Sequence, residues 1–145
     1  MAQDIFDTCI LISRKAKAYP KIAVVSSVVL QELTAGALDN QEVKFFEGMR
    51  KSYEIRGLLL IPNGEDWFLA GKVLNALLRG LKSKNRGKWV KLSPDDKQRI
   101  IRDVLIARTV KRENARLVTD NIKDFEMIQR FCRIKLISGD DYFGK

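Results

Sequence analysis

Three carboxylates stand in unusual company. On a helix, the same-face neighbours of Asp103 are Ile100 three residues before it, Ala107 four after and Val110 seven after. Glu32 repeats the pattern among Val28, Val29, Ala35 and Gly36. A carboxylate in an apolar arc is costly unless it is paired or bound to a metal. Asp7 closes the short apolar run Ile5-Phe6, where a buried strand would end. Near the other end of the chain, Thr119-Asp120-Asn121 follows Leu117-Val118, and Asp124 comes soon after. If these acids converge they repel, by about 4 kcal/mol for two charges 4 Å apart at an effective dielectric near 20. A divalent cation removes that cost, and an all-oxygen site suits Mg²⁺ or Mn²⁺. Such an ion can lower the pKa of a bound water and polarise a phosphoryl oxygen. The chemistry implied is metal-dependent phosphodiester hydrolysis.

What the chain lacks narrows the choice. There is no His, which removes His-based acid–base catalysis, Ser–His triads and His-ligated zinc. Two cysteines are too few for a Cys-only zinc site or a disulfide framework. There is no Gly-rich phosphate loop. Lys plus Arg number 27 against 18 acids, a net +9 that favours polyanions, nucleic acid first. The 145 residues and 46% apolar content are those of one soluble globular domain. The most apolar run, Ile22 to Leu30, is broken by Ser26 and Ser27 and is too short to span a membrane. The first residues include Asp4 and Asp7 and no early cation, unlike an export leader, so a cytoplasmic location is expected.

The elements that must position the acids are readable as alternating short strands and helices. Strands are expected at Ile5-Phe6, at Ile22–Val25 after Pro20, at Leu58–Ile61 before Pro62-Asn63-Gly64, at Leu117-Val118 and at Ile134–Ile137. A short helix is expected through Ile10, Leu11 and Ile12, and a second from a Ser26 or Ser27 cap to about Leu38. Further helices are expected over about Gln41–Tyr53 and Asp66–Leu81, and from Ser93-Pro94-Asp95-Asp96 to about Glu113. A last one is expected up to Arg130, capped by Asp120 or Asn121. Phe45, Phe46, Tyr53 and Trp67 are candidates for an exposed groove that takes a partner, but their helical spacing favours the core. Arg79 to Lys91, with Lys82, Lys84, Arg86 and Lys88 and no acid, reads as a flexible basic loop insertion at about 79–92. The alternation predicts an α/β fold with a mainly parallel sheet, whose sites lie beyond the carboxyl ends of the strands.

These residues resemble the PIN-domain ribonucleases, and among them the VapC-type toxins of toxin–antitoxin pairs. The likeness covers nearly the whole chain. Asp4-Ile-Phe-Asp-Thr-Cys-Ile-Leu-Ile12 is similar to the opening motif and implies Asp7 as the first acid, with Thr8 its hydroxyl neighbour. Val25–Gly36 resembles the second motif, with its acid at Glu32. Asp103-Val-Leu-Ile-Ala107 resembles the third, and Leu117-Val-Thr-Asp-Asn-Ile-Lys-Asp-Phe125 the fourth. Two positions depart from the family pattern. Cys9 stands where Asn is usual, and Asn121 takes the place of the fourth acid, flanked by Asp120 and Asp124.

The resemblance implies a three-layer α/β/α sandwich around a parallel sheet. It implies RNA cleavage with Mg²⁺ or Mn²⁺ held by Asp7 and Asp103, with Glu32, Asp120, Asn121 and Asp124 as the remaining candidates and Thr119 orienting an acid or water. It also implies a VapB-type antitoxin laid into a groove near the site, and a homodimer. Lys82, Lys84, Arg86 and Lys88 are candidate RNA contacts. Two other readings compete: a PIN nuclease in RNA processing, which would lack an adjacent antitoxin gene, and a non-catalytic PIN-fold RNA-binding module, which Asn121 favours.

Overall fold

Strand residues here alternate between two separate apolar clusters, and that alternation defines the layers. In the computed structural model, residues 3–13 and 24–144 are described. β1 (Asp4–Phe6), β4 (Arg116–Thr119) and β5 (Lys135–Ser138) form one parallel sheet in the order β1-β4-β5. β2 (Val25–Ser26) and β3 (Leu59–Leu60) pair in parallel beside it, joined through the Ile5–Val24 bridge. Ile5, Leu117 and Leu136 point into the larger core, whereas Phe6, Val118 and Ile137 point into a smaller cluster on the opposite face.

The smaller cluster is closed by α1 (Thr8–Ser13) and α7 (Gly139–Phe143), through Ile10, Tyr142 and Phe143. The larger core is built by α2 (Ser27–Ala35), α4 (Gly64–Lys84), α5 (Pro94–Arg112) and α6 (Ile122–Gln129). α3 (Asn40–Ile55) lies on its edge and has no fully buried residue. The arrangement is the expected α/β fold with helices on both faces of parallel strands. No helix among the described residues is long and apolar enough to cross a membrane.

Local signals set most boundaries. Ser26 Oγ accepts the Val28 N–H and caps α2, as expected. Asn63 and Asp66 form a reciprocal capping box at α4, and Ser93 with Pro94 starts α5. α2 stops at Ala35, three residues short of expectation, with Gly36 at its C-cap. Pro20, Ile22 and Ala23 of the expected second strand lie outside the described residues.

The basic stretch is the main correction. Arg79, Lys82 and Lys84 belong to the last turns of α4, and only residues 85–93 link it to α5. Lys82 and Lys84 also sit at the negative end of the helix dipole, which favours extending the helix through them. Phe45 and Trp67 are corrected too. They are 66% and 59% exposed, whereas Phe46 and Tyr53 do pack against the core.

Candidate active site

Asp7 leaves β1 at its carboxyl end and is held by three neighbours. Its Oδ1 accepts the Thr8 N–H at 2.8 Å, and its Oδ2 accepts the Thr119 hydroxyl at 2.7 Å. The Cys9 thiol approaches the same Oδ2 at 3.5 Å. Thr119 is fully buried at the end of β4, and its Oγ1 also accepts the Asn121 N–H at 3.0 Å. One hydroxyl therefore ties β1, β4 and the turn into α6 together. Burial pushes the Asp7 carboxyl above its usual range, against the lowering pull of the Thr119 and Thr8 bonds.

Asp103 comes from α5, whose run Asp103–Val110 is buried throughout. It is 6% exposed and accepts no hydrogen bond from the described residues. Its pKa is raised to about 8, first by burial, then by the charges of Asp7, Glu32 and Asp124, with Arg99 opposing. Those charges place the four acids in one electrostatic environment although they come from four segments. Glu32, on α2, is raised chiefly by burial, with Arg102 lowering and Asp7 raising it. Arg102 Nε lies 3.4 Å from Glu32 Oε2. Glu32 Oε1 and Thr8 Oγ1 are buried and form no hydrogen bond of good geometry, although the Thr8 hydroxyl is near enough to Glu32 to help lower its carboxyl.

The fourth segment is more open. Asp120 is exposed, and its Oδ1 accepts the Gly139 N–H at 3.0 Å, so this carboxylate fastens the start of α7. Asn121 is exposed at the N-cap of α6 and its side chain makes no capping bond. Asp124, in the first turn of α6, faces Arg99 at 3.8 Å. Arg99 and Arg102 were absent from the sequence-based site. Arg99 stands one helical turn before Asp103, a spacing that marks it as a neighbour. Arg102 carries no such signal, because its partner is on another helix.

The donor chemistry fits a hard divalent cation. Among the described residues no three acidic or thiol side chains form a ready-made metal-binding group. Mg²⁺ does not need one, since it keeps several waters and is often bound by one or two protein carboxylates. Asp7 and Asp103 are the two that would serve, and the Glu32 and Thr8 oxygens, buried without a well-formed bond, are polar atoms suited to bonding such waters.

Beside Glu32 opens an apolar groove of about 820 Å³ between α1, α2 and α3. Its walls include Leu11, Leu33, Phe45, Phe46, Met49 and Tyr53. Leu38, also on the groove, is 89% exposed.

Comparison with family models and with curated proteins gives no match. Comparison with solved structures does. The chain is similar to VapBC2 from Rickettsia felis bound to a DNA fragment from their promoter, at 22% identity and a TM-score of 0.55, over 94% of this chain and 98% of that one. DNA-bound VapBC from Salmonella typhimurium is similar at 20% identity and a TM-score of 0.55, over 95% and 98%. VapBC-5 from Mycobacterium tuberculosis, a member of the VapBC family of toxin-antitoxin systems, is similar at 17% identity and a TM-score of 0.54, over 95% and 99%. The fold is therefore one found in VapBC toxin–antitoxin complexes, as the sequence motifs implied.

Proposed function

We propose that this chain is a metal-dependent ribonuclease and the toxin of a VapBC-type pair, acting in the cytoplasm as a homodimer. One observation carries the reading. Asp103 is buried without a hydrogen bond while the charges of Asp7, Glu32 and Asp124 act on it, an arrangement that is costly unless a cation joins it. The basic balance of the chain supplies the affinity for a polyanion.

Asp7 and Asp103 would hold Mg²⁺ or Mn²⁺. When bound, the ion lowers the pKa of its water and offsets charge on the phosphoryl oxygens. Thr119 and the Thr8 amide fix the rotation of the Asp7 carboxylate, so its ligand geometry is preorganised. Arg102 holds one oxygen of Glu32, leaving Oε1 to accept a proton from the attacking water. Asp124 and the Asn121 amide border the opening and would orient further waters. Asp120 contributes charge, with one oxygen already engaged. Lys82, Lys84, Arg86 and Lys88 would contact the RNA backbone.

The groove that ends at Glu32 suits an apolar helix of an antitoxin, with a basic side chain reaching the acids. That partner would occlude the site by occupying its edge. The exposed Asn121, an amide where an acid is usual, favours the non-catalytic RNA-binding reading. A Mn²⁺ titration by calorimetry separates the two. Wild type binds the ion and Asp103→Asn does not if the site is catalytic; no binding by either supports the non-catalytic module.

A further inference from the structure

Trp89 is a large aromatic residue left in water beside a dense run of cations. It is 61% exposed in the link between α4 and α5. From Arg79 to Lys91 the chain carries Arg79, Lys82, Lys84, Arg86, Lys88 and Lys91 and no acid. None of the six has an ion-pair partner among the described residues.

The indole is held rather than loose. The Gly87 N–H donates to the Lys82 carbonyl at 3.0 Å, and the Lys88 N–H donates to the Asn85 carbonyl at 3.1 Å. The Asn85 side-chain amide closes the turn on the Lys88 carbonyl at 3.2 Å. Arg86 and Gly87 take the positive φ values, 57° and 80°, that reverse the chain. Lys82 Nζ then lies 4.3 Å from the centre of the Trp89 ring, and a shallow cavity of about 500 Å³ opens beside it, also lined by Asn75, Arg79 and Ser83.

We propose that Trp89, with Lys82 and Arg79, is a stacking platform for a base of single-stranded RNA, outside the acidic centre. The proposal rests on the reading of the chain as acting on RNA and adds where the strand is gripped. An aromatic face set among cations takes any base by its π-face, while the cations follow the phosphates. The link feeds directly into α5, and Ser93 at its cap is about 15 Å of helix from Asp103. A strand of several nucleotides spans that gap. An acidic peptide would use the cations but has no need of the exposed indole.

The test is binding, so it does not depend on cleavage. Fluorescein-labelled single-stranded RNA of mixed sequence is titrated with the Asp103→Asn protein, with and without Trp89→Ala or Trp89→Phe. An abasic oligonucleotide of equal charge and a poly-glutamate peptide serve as comparators. The platform requires that Trp89→Ala weaken RNA binding about tenfold, that Trp89→Phe restore most of it, and that the abasic strand bind weakly and be indifferent to Trp89. Equal affinity of the two proteins for RNA overturns it. So does equal binding of the abasic strand, which would leave a purely electrostatic surface, or tighter binding of poly-glutamate. If the protein with Asp103 intact cuts no RNA in Mg²⁺ or Mn²⁺ while Trp89 still governs binding, the catalytic reading fails and the platform stands.

Discussion

Asp103 keeps its proton in the folded protein over a range where an unfolded chain has lost it. Its folded pKa is about 8 against an ordinary 3.8. Between those values the native state binds the extra proton, so stability falls as pH rises from about 4 to about 8. Asp103→Asn removes that penalty. Without metal, the variant melts at least about 3 °C above wild type at pH 8, and the gap closes by pH 4. A scanning-calorimetry series across that pH range reads it, and a variant that melts lower throughout would make Asp103 a structural acid. Mn²⁺ is expected to raise the wild-type melting temperature and to leave the variant unchanged. Asp7, Glu32 and Asp103 were legible because a carboxylate in an apolar pattern stands out within its own segment. Arg102 was not, since its contact with Glu32 is made only when α2 and α5 pack.

Helices α4 and α5 are clasped by an ion pair that sequence spacing did not reveal. Asp66 is fully buried, with Arg112 Nε at 2.8 Å and Arg108 at 3.6 Å. The same carboxylate accepts the Asn63 N–H, and Arg112 also donates to the Ile61 carbonyl at 2.8 Å. Asp66→Ala strands the nearly buried Arg108 and is expected to cost about 3–5 kcal/mol in urea denaturation. A cost below 1 kcal/mol would mean that water replaces the carboxylate. Strand positions at this scale were readable from apolar runs and their Pro-Asn-Gly or Asp stops. The end of α4 was not, because Gly80, Ser83 and Asn85 read as loop residues while packing and the helix dipole carry the helix on to Lys84. α7 was missed entirely. Its five residues hold too little periodicity, and Asp120 joins their N-terminus from the end of the neighbouring strand β4.

For the molecule as a whole, the excess of positive charge predicts RNA affinity that falls with salt. Neutralising Lys82, Lys84, Arg86 and Lys88 together is expected to reduce the slope of log K against log salt by up to about 3 for a single strand. Anisotropy titrations from low to high KCl measure it, and an unchanged slope would assign these cations to solubility alone. The layered α/β order was legible from the alternation of short apolar runs with helical stretches. The exposed groove beside Glu32 was legible only as the lesser alternative for Phe45, Phe46 and Tyr53, because their helical spacing also fits the core and only the packed structure shows the face of α3 uncovered. The central claim is that Asp7, at the end of β1, and Asp103, on α5, hold a metal with which the chain cuts RNA. Protein purified free of partners should be incubated with structured and unstructured RNAs in Mg²⁺, in Mn²⁺ and in chelator, beside Asp103→Asn. Cleavage that needs the ion and is lost in the variant is the result expected. Cleavage that persists in chelator, or in Asp103→Asn at the wild-type rate, would contradict it.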